Sequence, residues 1–260
     1  ANNSSIQSSS NRLGNAGYIL LQGETADISL SDSTLATSIN ANGNGVGGNL
    51  EILARSLSLS DNAQIDAGTF GVGDAGDIFV TSEGSVSLSG EDTRIFSDVA
   101  SETAQGSGGT ISIEARSLSL SGGAALETST LGDGDAGDTF IEVRDRVSLN
   151  SQSQIRSNGE ASGDAGDISV VAGRLELDDA AIEASSVSGN GGNIGVDVRS
   201  ISRLRNGSRI ATNAGTIGDS GDGGNIILDT QFLVGSENSD ITANSFEGLG
   251  GFIQINSQGV

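Results

Sequence analysis

The sequence contains no cysteine, methionine, proline, histidine, tryptophan or lysine among its 260 residues. Without cysteine there is no disulfide framework, so packing alone must hold the fold together. Without histidine, lysine or cysteine, no side chain is readily poised as a base near neutral pH. The absence of proline agrees with uninterrupted strand pairing, because proline removes a backbone donor from a sheet. These absences leave few routes to catalysis and favour a β-structured protein.

Positive charge is also scarce. The chain has 34 acidic residues and 12 basic residues, all of them arginine, which gives a net charge of -22 at pH 7. A field of this sign repels nucleic acids and attracts cations, so we expect no nucleic-acid partner. No stretch of the sequence approaches the roughly 18 apolar residues of a membrane helix, so we expect no membrane insertion.

Glycine is abundant, with 40 residues, and much of it recurs at regular intervals. The motif Gly-x-(Ala/Gly)-Gly occurs at nine places, and an apolar residue usually follows two positions later. The intervals between copies are 26 to 33 residues. The last glycines of the nine copies are Gly17, Gly48, Gly76, Gly109, Gly137, Gly166, Gly192, Gly224 and Gly251. A fixed period of this length is typical of solenoid proteins.

Each repeat contains three short segments in which apolar and polar residues alternate. In the repeat that begins at Gly48, the apolar residues form three pairs: Leu50 and Ile52, Leu57 and Leu59, and Ile65 and Ala67. This alternation is typical of strands with one dry face and one wet face. No segment shows the spacing of an amphipathic helix. The pattern therefore predicts three short strands per repeat.

One repeat cannot form a core alone. About six buried aliphatic side chains stabilise it by ~2 kcal/mol each, whereas ordering each of its residues costs ~1–2 kcal/mol. Stacked repeats can share one core. We therefore predict an all-β, right-handed parallel β-helix of about nine coils with three short strands per coil, forming one domain over residues 1–260. Its length would be ~43 Å, at ~4.8 Å per coil.

The phrases GDAGDIFV, GSGGTISIEARSLSLSGGAAL, GDAGDISVVAGRLELDDAAIEAS and GNGGNIGVDVRS resemble repeats of filamentous-haemagglutinin-type exoproteins, most closely cyanobacterial ones. The resemblance spans residues 14–255. It implies a β-helical adhesin at the bacterial surface or secreted, exported through an outer-membrane partner by two-partner secretion. The amino-terminal secretion domain of that family is not evident here. The resemblance therefore indicates the shaft, as an excerpt of a longer rod or a subunit of one.

Stacked coils place equivalent residues in columns, and one column carries charge. About seven residues after each repeat glycine, the column is Glu24, Arg55, Glu83, Arg116, Arg144, Arg174, Arg199 and Gln231. The first four alternate in sign, which predicts ion pairs between neighbouring coils. A stripe that binds polyanions is the alternative interpretation of the arginines.

A second column directly follows the repeat glycines and is rich in Asn and Asp, which we expect to hydrogen-bond backbone groups of the turns. In coils five and six, Asp135, Asp138, Asp164 and Asp167 would gather at one corner. Repulsion among four carboxylates would favour a bound cation, and calcium is the natural candidate. We expect no cofactor to be required, with calcium at this corner as a hypothesis beside simple solvated carboxylates.

The sequence favours a non-catalytic protein. A β-helical enzyme acting on acidic glycans is an alternative, but it would need a base that this composition lacks. Ice binding would require a threonine array on every coil, and the threonines are scattered. Glycan binding has a poor stacking platform, with no Trp and one Tyr.

Two structural hypotheses remain for a secreted or surface-attached rod. The chain is the shaft of an adhesin that contacts a host cell, a neighbouring cell or a glycan, or it is a subunit that joins other copies end to end in an extracellular fibre.

Overall fold

The computed structural model describes residues 3–101, 106–215 and 221–259. Within these residues the chain forms nineteen strands and no helix. All strand pairs are parallel, and each strand pairs with its equivalents in the coils before and after it. The protein is a parallel β-solenoid of about eight turns, which confirms the predicted fold and comes close to the nine predicted coils.

The strands belong to two sheets. The ten-stranded sheet contains β2 (Ile19–Ser31), β4 (Leu50–Ser60), β6 (Ile78–Ser82), β7 (Ser85–Ser89), β9 (Ile111–Ser121), β11 (Thr139–Asn150), β13 (Ile168–Asp178), β15 (Ile194–Arg205), β17 (Ile226–Gly235) and β19 (Ile253–Asn256). The nine-stranded sheet contains β1 (Ser5–Gln7), β3 (Thr34–Ala36), β5 (Gln64–Asp66), β8 (Arg94–Phe96), β10 (Ala125–Glu127), β12 (Gln154–Arg156), β14 (Ala181–Glu183), β16 (Arg209–Ala211) and β18 (Asp240–Thr242). We call these the long sheet and the short sheet.

The long strands combine the first two strands predicted for each coil. The register shifts midway along most pairs, for example between Val143 and Arg146 of β11, which marks a bulge between the two halves. In one coil the strand divides at Glu83 and Gly84 into β6 and β7, so that this coil has the three separate strands of the prediction. The third predicted strand is the short strand.

The core lies between the inner faces of the two sheets. Alternate residues of each long strand point inward, and in β4 the inward residues Leu50, Ile52, Leu57 and Leu59 are all buried. The short strands from β3 to β16 contribute their middle residues, such as Ile65 in β5. Burying an aliphatic side chain stabilises the fold by roughly 1.5–3 kcal/mol, and the same positions recur in every coil. The core is therefore continuous along the solenoid axis.

The repeat glycines are required because neighbouring coils approach each other very closely there. A Cβ on Gly48 would lie 1.9 Å from the carbonyl oxygen of Gly17, and one on Gly137 would lie 2.1 Å from that of Gly109. The last glycine of each motif does not have a positive φ. Close backbone stacking, rather than a left-handed conformation, therefore explains why glycine recurs at this last position of the motif.

Left-handed residues lie at another corner, where each long strand turns toward the next short strand. Asp32, Asp61, Asp179 and Asn206 occupy it with φ values of 46°, 53°, 53° and 53°. Asp and Asn tolerate this conformation better than other residues with side chains, because their short polar groups bond locally. The acidic residues at this corner thus have a conformational role.

A pair of hydrogen bonds fastens the glycine turn to the segment after the short strand. The backbone N–H of Gly137 donates to the carbonyl oxygen of Thr128 (2.8 Å), and the hydroxyl of Thr128 donates to the carbonyl oxygen of Gly137 (2.7 Å). Thr128 is fully buried, so its hydroxyl depends on this partner. Similar backbone bonds close other coils, for example from Gly48 to Thr37 (2.9 Å).

Candidate functional site

Asn and Asp side chains form hydrogen-bonded ladders along the glycine corner. In the column after the repeat glycines, Oδ1 of Asp138 accepts the backbone N–H of Asp167 (2.8 Å), and Oδ1 of Asp167 accepts that of Asn193 (2.7 Å). The predicted role of this column in hydrogen bonding to the backbone is confirmed. The partner is the equivalent residue of the following coil, so each bond joins two coils.

The four residues of the calcium hypothesis belong to two such ladders. Asp138 and Asp167 stand in the column just described, and Asp135 and Asp164 stand in a parallel column three residues earlier, where Oδ1 of Asp135 accepts the N–H of Asp164 (2.9 Å). All four side chains therefore already have a backbone partner in the following coil. Over the described part of the chain, no group of three or more acidic side chains is placed to hold a metal ion.

The alternating ion pairs predicted for the charged column do not form. Arg55 binds Asp27 of the preceding coil instead of Glu24 or Glu83. The bulge between Gly23 and Asp27 explains the difference, because it shifts the register. Hydrogen bonds from Arg55 and then from Ser56 hold the pKa of Asp27 below its usual range.

A buried group of charges on the short sheet was not predicted. Glu127 at the end of β10 is only 3% exposed, and its carboxylate binds Arg94 of the preceding coil (3.0 Å) and Arg156 of the following coil. Burial alone would lower the pKa of Arg156, but the charge and hydrogen bond of Glu127 outweigh it and raise that pKa. The guanidinium of Arg94 also lies 4.7 Å from the ring centre of Phe96. We call Arg94, Glu127 and Arg156 the short-sheet charge clamp.

Two further carboxylates lie beside the clamp. Burial raises the pKa of Asp66. It raises the pKa of Asp98 to about 8, and repulsion from Glu127 adds to this effect. Oδ1 of Asp98 accepts the backbone N–H of Ser129 in the following coil (2.8 Å). Asp98 is therefore mostly protonated at neutral pH, which reduces the negative charge beside Glu127.

The signal for the clamp was present in the sequence but ambiguous. Its members flank the inward aliphatic residues Ile95, Leu126 and Ile155 of three successive short strands. Such flanking positions normally face solvent, so the alternation predicts exposed charges there. The structure instead encloses Glu127.

The outer face of the long sheet carries exposed apolar side chains and serines. Phe79 and Phe140 are 39% and 45% exposed, in the first half of their strands. The second half presents serines in register over several coils: Ser29, Ser31, Ser56, Ser58, Ser60, Ser85, Ser87, Ser89, Ser117, Ser119, Ser121 and Ser148. Between the two halves lies a depression of about 230 Å³ lined by Glu83, Glu114 and Arg144, among others.

Comparison with protein-family models, with curated proteins and with solved structures found no match for this chain. In the part of the chain that the structure describes, no helix is long and apolar enough to cross a membrane. The geometry defines the class of protein as a parallel β-solenoid. Its recurring features are the glycine stack and the Asn and Asp ladders, and the charge clamp ties three of its coils together.

Proposed function

We propose that this chain acts as a non-catalytic structural rod, the shaft of a secreted or surface-attached bacterial adhesin. The observation that carries the proposal is the continuity of its two sheets. The long sheet runs from β2 to β19 and the short sheet from β1 to β18, each pairing coil with coil. A shaft must hold a distal binding region away from the cell, and such continuous pairing gives stiffness along one axis.

Side chains reinforce this pairing between coils. The Asn and Asp ladders add hydrogen bonds in parallel with the backbone bonds, and the charge clamp ties three coils together. Uninterrupted pairing also leaves few flexible segments for a protease to open, because cleavage requires local unfolding. A rod of this kind suits an extracellular setting, where proteases are present.

The resemblance of the repeats to filamentous-haemagglutinin-type exoproteins supports the same function. The quoted repeat phrases lie at the glycine corner and in the long strands that follow it, so the similarity concerns the residues that build the coil. We infer from it a bacterial cell-surface or secreted location and export by two-partner secretion. The partners at the distal end would be a host cell, a neighbouring cell or a glycan.

A fibre made of copies joined end to end is the second candidate. In the fibre, the edge of β19 that faces away from β17 would pair with a strand of another copy. Ile253 and Ile255 of β19 are 41% and 40% exposed. In the fibre, the first coil of another copy would cover them.

Electron microscopy of the purified chain at neutral pH separates the two candidates. Nine stacked short strands have eight spacings of ~4.8 Å, so the shaft predicts discrete particles ~38 Å long. The fibre predicts filaments of uniform width and variable length. Globular particles, or rapid digestion by a non-specific protease under native conditions, would contradict both. A reducing-sugar assay on acidic glycans tests the non-catalytic assignment, and release of sugar would refute it.

A further inference from the structure

One outward column of the long sheet carries four large apolar residues, and the residues between and directly after its two phenylalanines are small. It runs through the second residue of each long strand in the order Leu20, Glu51, Phe79, Ser112, Phe140, Ser169, Gly195 and Ile227. Leu20, Phe79, Phe140 and Ile227 are 39–46% exposed. Exposed apolar residues that scatter singly are normal, but several of them in one column can mark a binding surface.

The two phenylalanines stand in strict register. Phe79 pairs with Ser112 in the ladder between β6 and β9, and Ser112 pairs with Phe140 in the ladder between β9 and β11. Their Cα atoms are therefore two coils apart, or ~9.6 Å along the solenoid axis. Ser112 between them is small, so nothing tall separates the two rings. We call this pair of exposed aromatic side chains, with its fixed spacing, the Phe79–Phe140 platform.

This spacing matches an extended β-1,4-linked polysaccharide. In such a chain successive sugars are turned over, so every second sugar presents the same face, and two sugar units span about the same length as two coils. A chain lying along the solenoid axis would place one sugar on Phe79 and the next but one on Phe140. The apolar C–H groups of a sugar face pack well on an aromatic ring.

The neighbouring side chains supply partners for sugar hydroxyls. Glu114 and Glu142 pair with each other in the adjacent outward column, and both are exposed. Ionised carboxylates accept hydrogen bonds from hydroxyls. The same carboxylates, in a chain of net charge -22, repel uronic-acid and sulphated glycans. Arg144 lies in the same depression as Glu114 and Glu142, but the net charge of the chain favours a neutral glycan over an anionic one.

Beyond Phe140 the column leaves open space. Gly195 lies inside strand β15, and a Cβ on it would meet no atom within 4 Å, so internal packing does not require glycine there. A glycine within a strand weakens the strand and often marks a place where a ligand approaches closely. Together with Ser169, it continues the flat surface toward Ile227.

We propose that the Phe79–Phe140 platform binds a neutral β-1,4-linked polysaccharide along the rod axis. This inference deepens the proposed function by giving the side of the shaft its own glycan partner. Glycan contact then occurs along the rod as well as at a distal tip.

The test is sedimentation of the purified chain with microcrystalline cellulose and, in a second arm, with chitin, which has the same linkage with acetylated amino sugars. Binding to either polymer is expected, and the two arms identify the sugar. Replacing both rings, Phe79→Ala with Phe140→Ala, should weaken binding roughly tenfold or more, as expected for the loss of two aromatic contacts. Circular dichroism of the variant would check that the fold is retained.

Phe70→Ala is the matched control, because Phe70 is also 39% exposed but lies outside the long sheet. The Phe70 variant should bind both polymers like the original chain. Raising the salt concentration should have little effect on the binding of the original chain. Absence of binding to both polymers, equal loss in the Phe70 variant, or a preference for sulphated glycans would overturn the inference. Rods in the microscope without binding would leave the shaft function standing, whereas globular particles would remove that function itself.

Discussion

At the residue scale, the chain contains two glutamates that each bind two arginines but differ in exposure. Glu127 is buried between Arg94 and Arg156, whereas the side chain of Glu176 is 27% exposed beside Arg146 (3.5 Å) and Arg174 (3.7 Å). Water screens the exposed group, and removal of one partner from a buried pair leaves an uncompensated charge. The same substitution should therefore have different effects at the two sites.

We expect Glu127→Gln to lower the free energy of unfolding by about 3 kcal/mol, the low end for a broken buried pair, because both arginines keep some exposure. Glu176→Gln should lower it by less than about 1 kcal/mol. Urea denaturation followed by circular dichroism measures both. Equal effects of the two substitutions would show that burial does not set the strength of the clamp.

Asp98 makes the stability depend on pH. Because its pKa is raised to about 8, the folded state holds a proton that the unfolded state releases near pH 4. The contribution of Asp98 to stability is therefore fully present below about pH 4, and it is lost as the pH rises to about 8. Asp98→Asn removes the ionisation and should raise the melting temperature at pH 8–9 while changing it little near pH 4.

Asparagine is a suitable replacement because Asn158, two coils further on, occupies the same ladder position and its Oδ1 accepts the N–H of Ser185 (3.0 Å). Asp167→Asn is the control, since its carboxylate has the same ladder role but is exposed. It should leave the pH profile of melting nearly unchanged. If the melting temperature of the Asp98 variant ran parallel to that of the original chain at every pH, the raised pKa of Asp98 would be refuted.

The sequence could predict that Asn and Asp bond to the backbone, but it could not separate Asp98 from Asp167. Both follow the chemistry of short polar side chains at turns. Their difference lies in burial and in the nearness of Glu127, which belongs to another coil. Long-range packing of this kind leaves no trace in the local alternation of residues.

At the element scale, the glycine corner and the long strands respond differently to a methyl group. Gly166→Ala would bring its Cβ to 2.0 Å from the carbonyl oxygen of Gly137, so neighbouring coils would have to move apart. Such overpacking should reduce the free energy of unfolding by about 1–3 kcal/mol. Gly195→Ala meets nothing within 4 Å and should increase it by about 0.4–1 kcal/mol, because the unfolded chain loses freedom.

Thermal and urea denaturation of both variants measure these changes. If Gly166→Ala were as stable as the original chain, the coils would not be in the close contact described, and glycine would recur there for its backbone freedom alone. If Gly195→Ala were destabilised, a constraint on β15 other than contact with neighbouring atoms would require glycine at this position.

The strand pattern was predictable because alternation of apolar and polar residues requires only that one face be buried. The merging of two predicted strands into one long strand was not, because a bulge, as at Arg144 and Asp145 of β11, can either end a strand or bend it. The reason for the repeat glycines was not predictable either. Closeness between coils is a property of the stack, and one repeat does not reveal it.

At the scale of the whole molecule, the charge of -22 acts on every coil. Self-repulsion destabilises a compact chain and is reduced by salt. We expect calcium and magnesium at equal millimolar concentrations to raise the melting temperature equally, because each carboxylate of the proposed calcium corner already accepts a backbone N–H. Differential scanning calorimetry measures the two midpoints.

A rise seen only with calcium would support a specific site. In that case Asp135→Asn combined with Asp164→Asn should abolish the difference between the two ions, whereas Asp77→Asn, in an earlier coil of the ladder, should not. Loss of the difference in all variants would indicate general screening.

The Asn and Asp ladders all run one way, with the side chain of one coil accepting from the backbone of the next. Each coil with Asn or Asp in a ladder thus offers its successor the same acceptor, and its backbone presents the same donor to its predecessor. An in-frame duplication or deletion of such a coil, away from the charge clamp, would therefore leave compatible ladder junctions on both sides. Rod length could change during evolution by gain or loss of whole units, without redesign of the ladders.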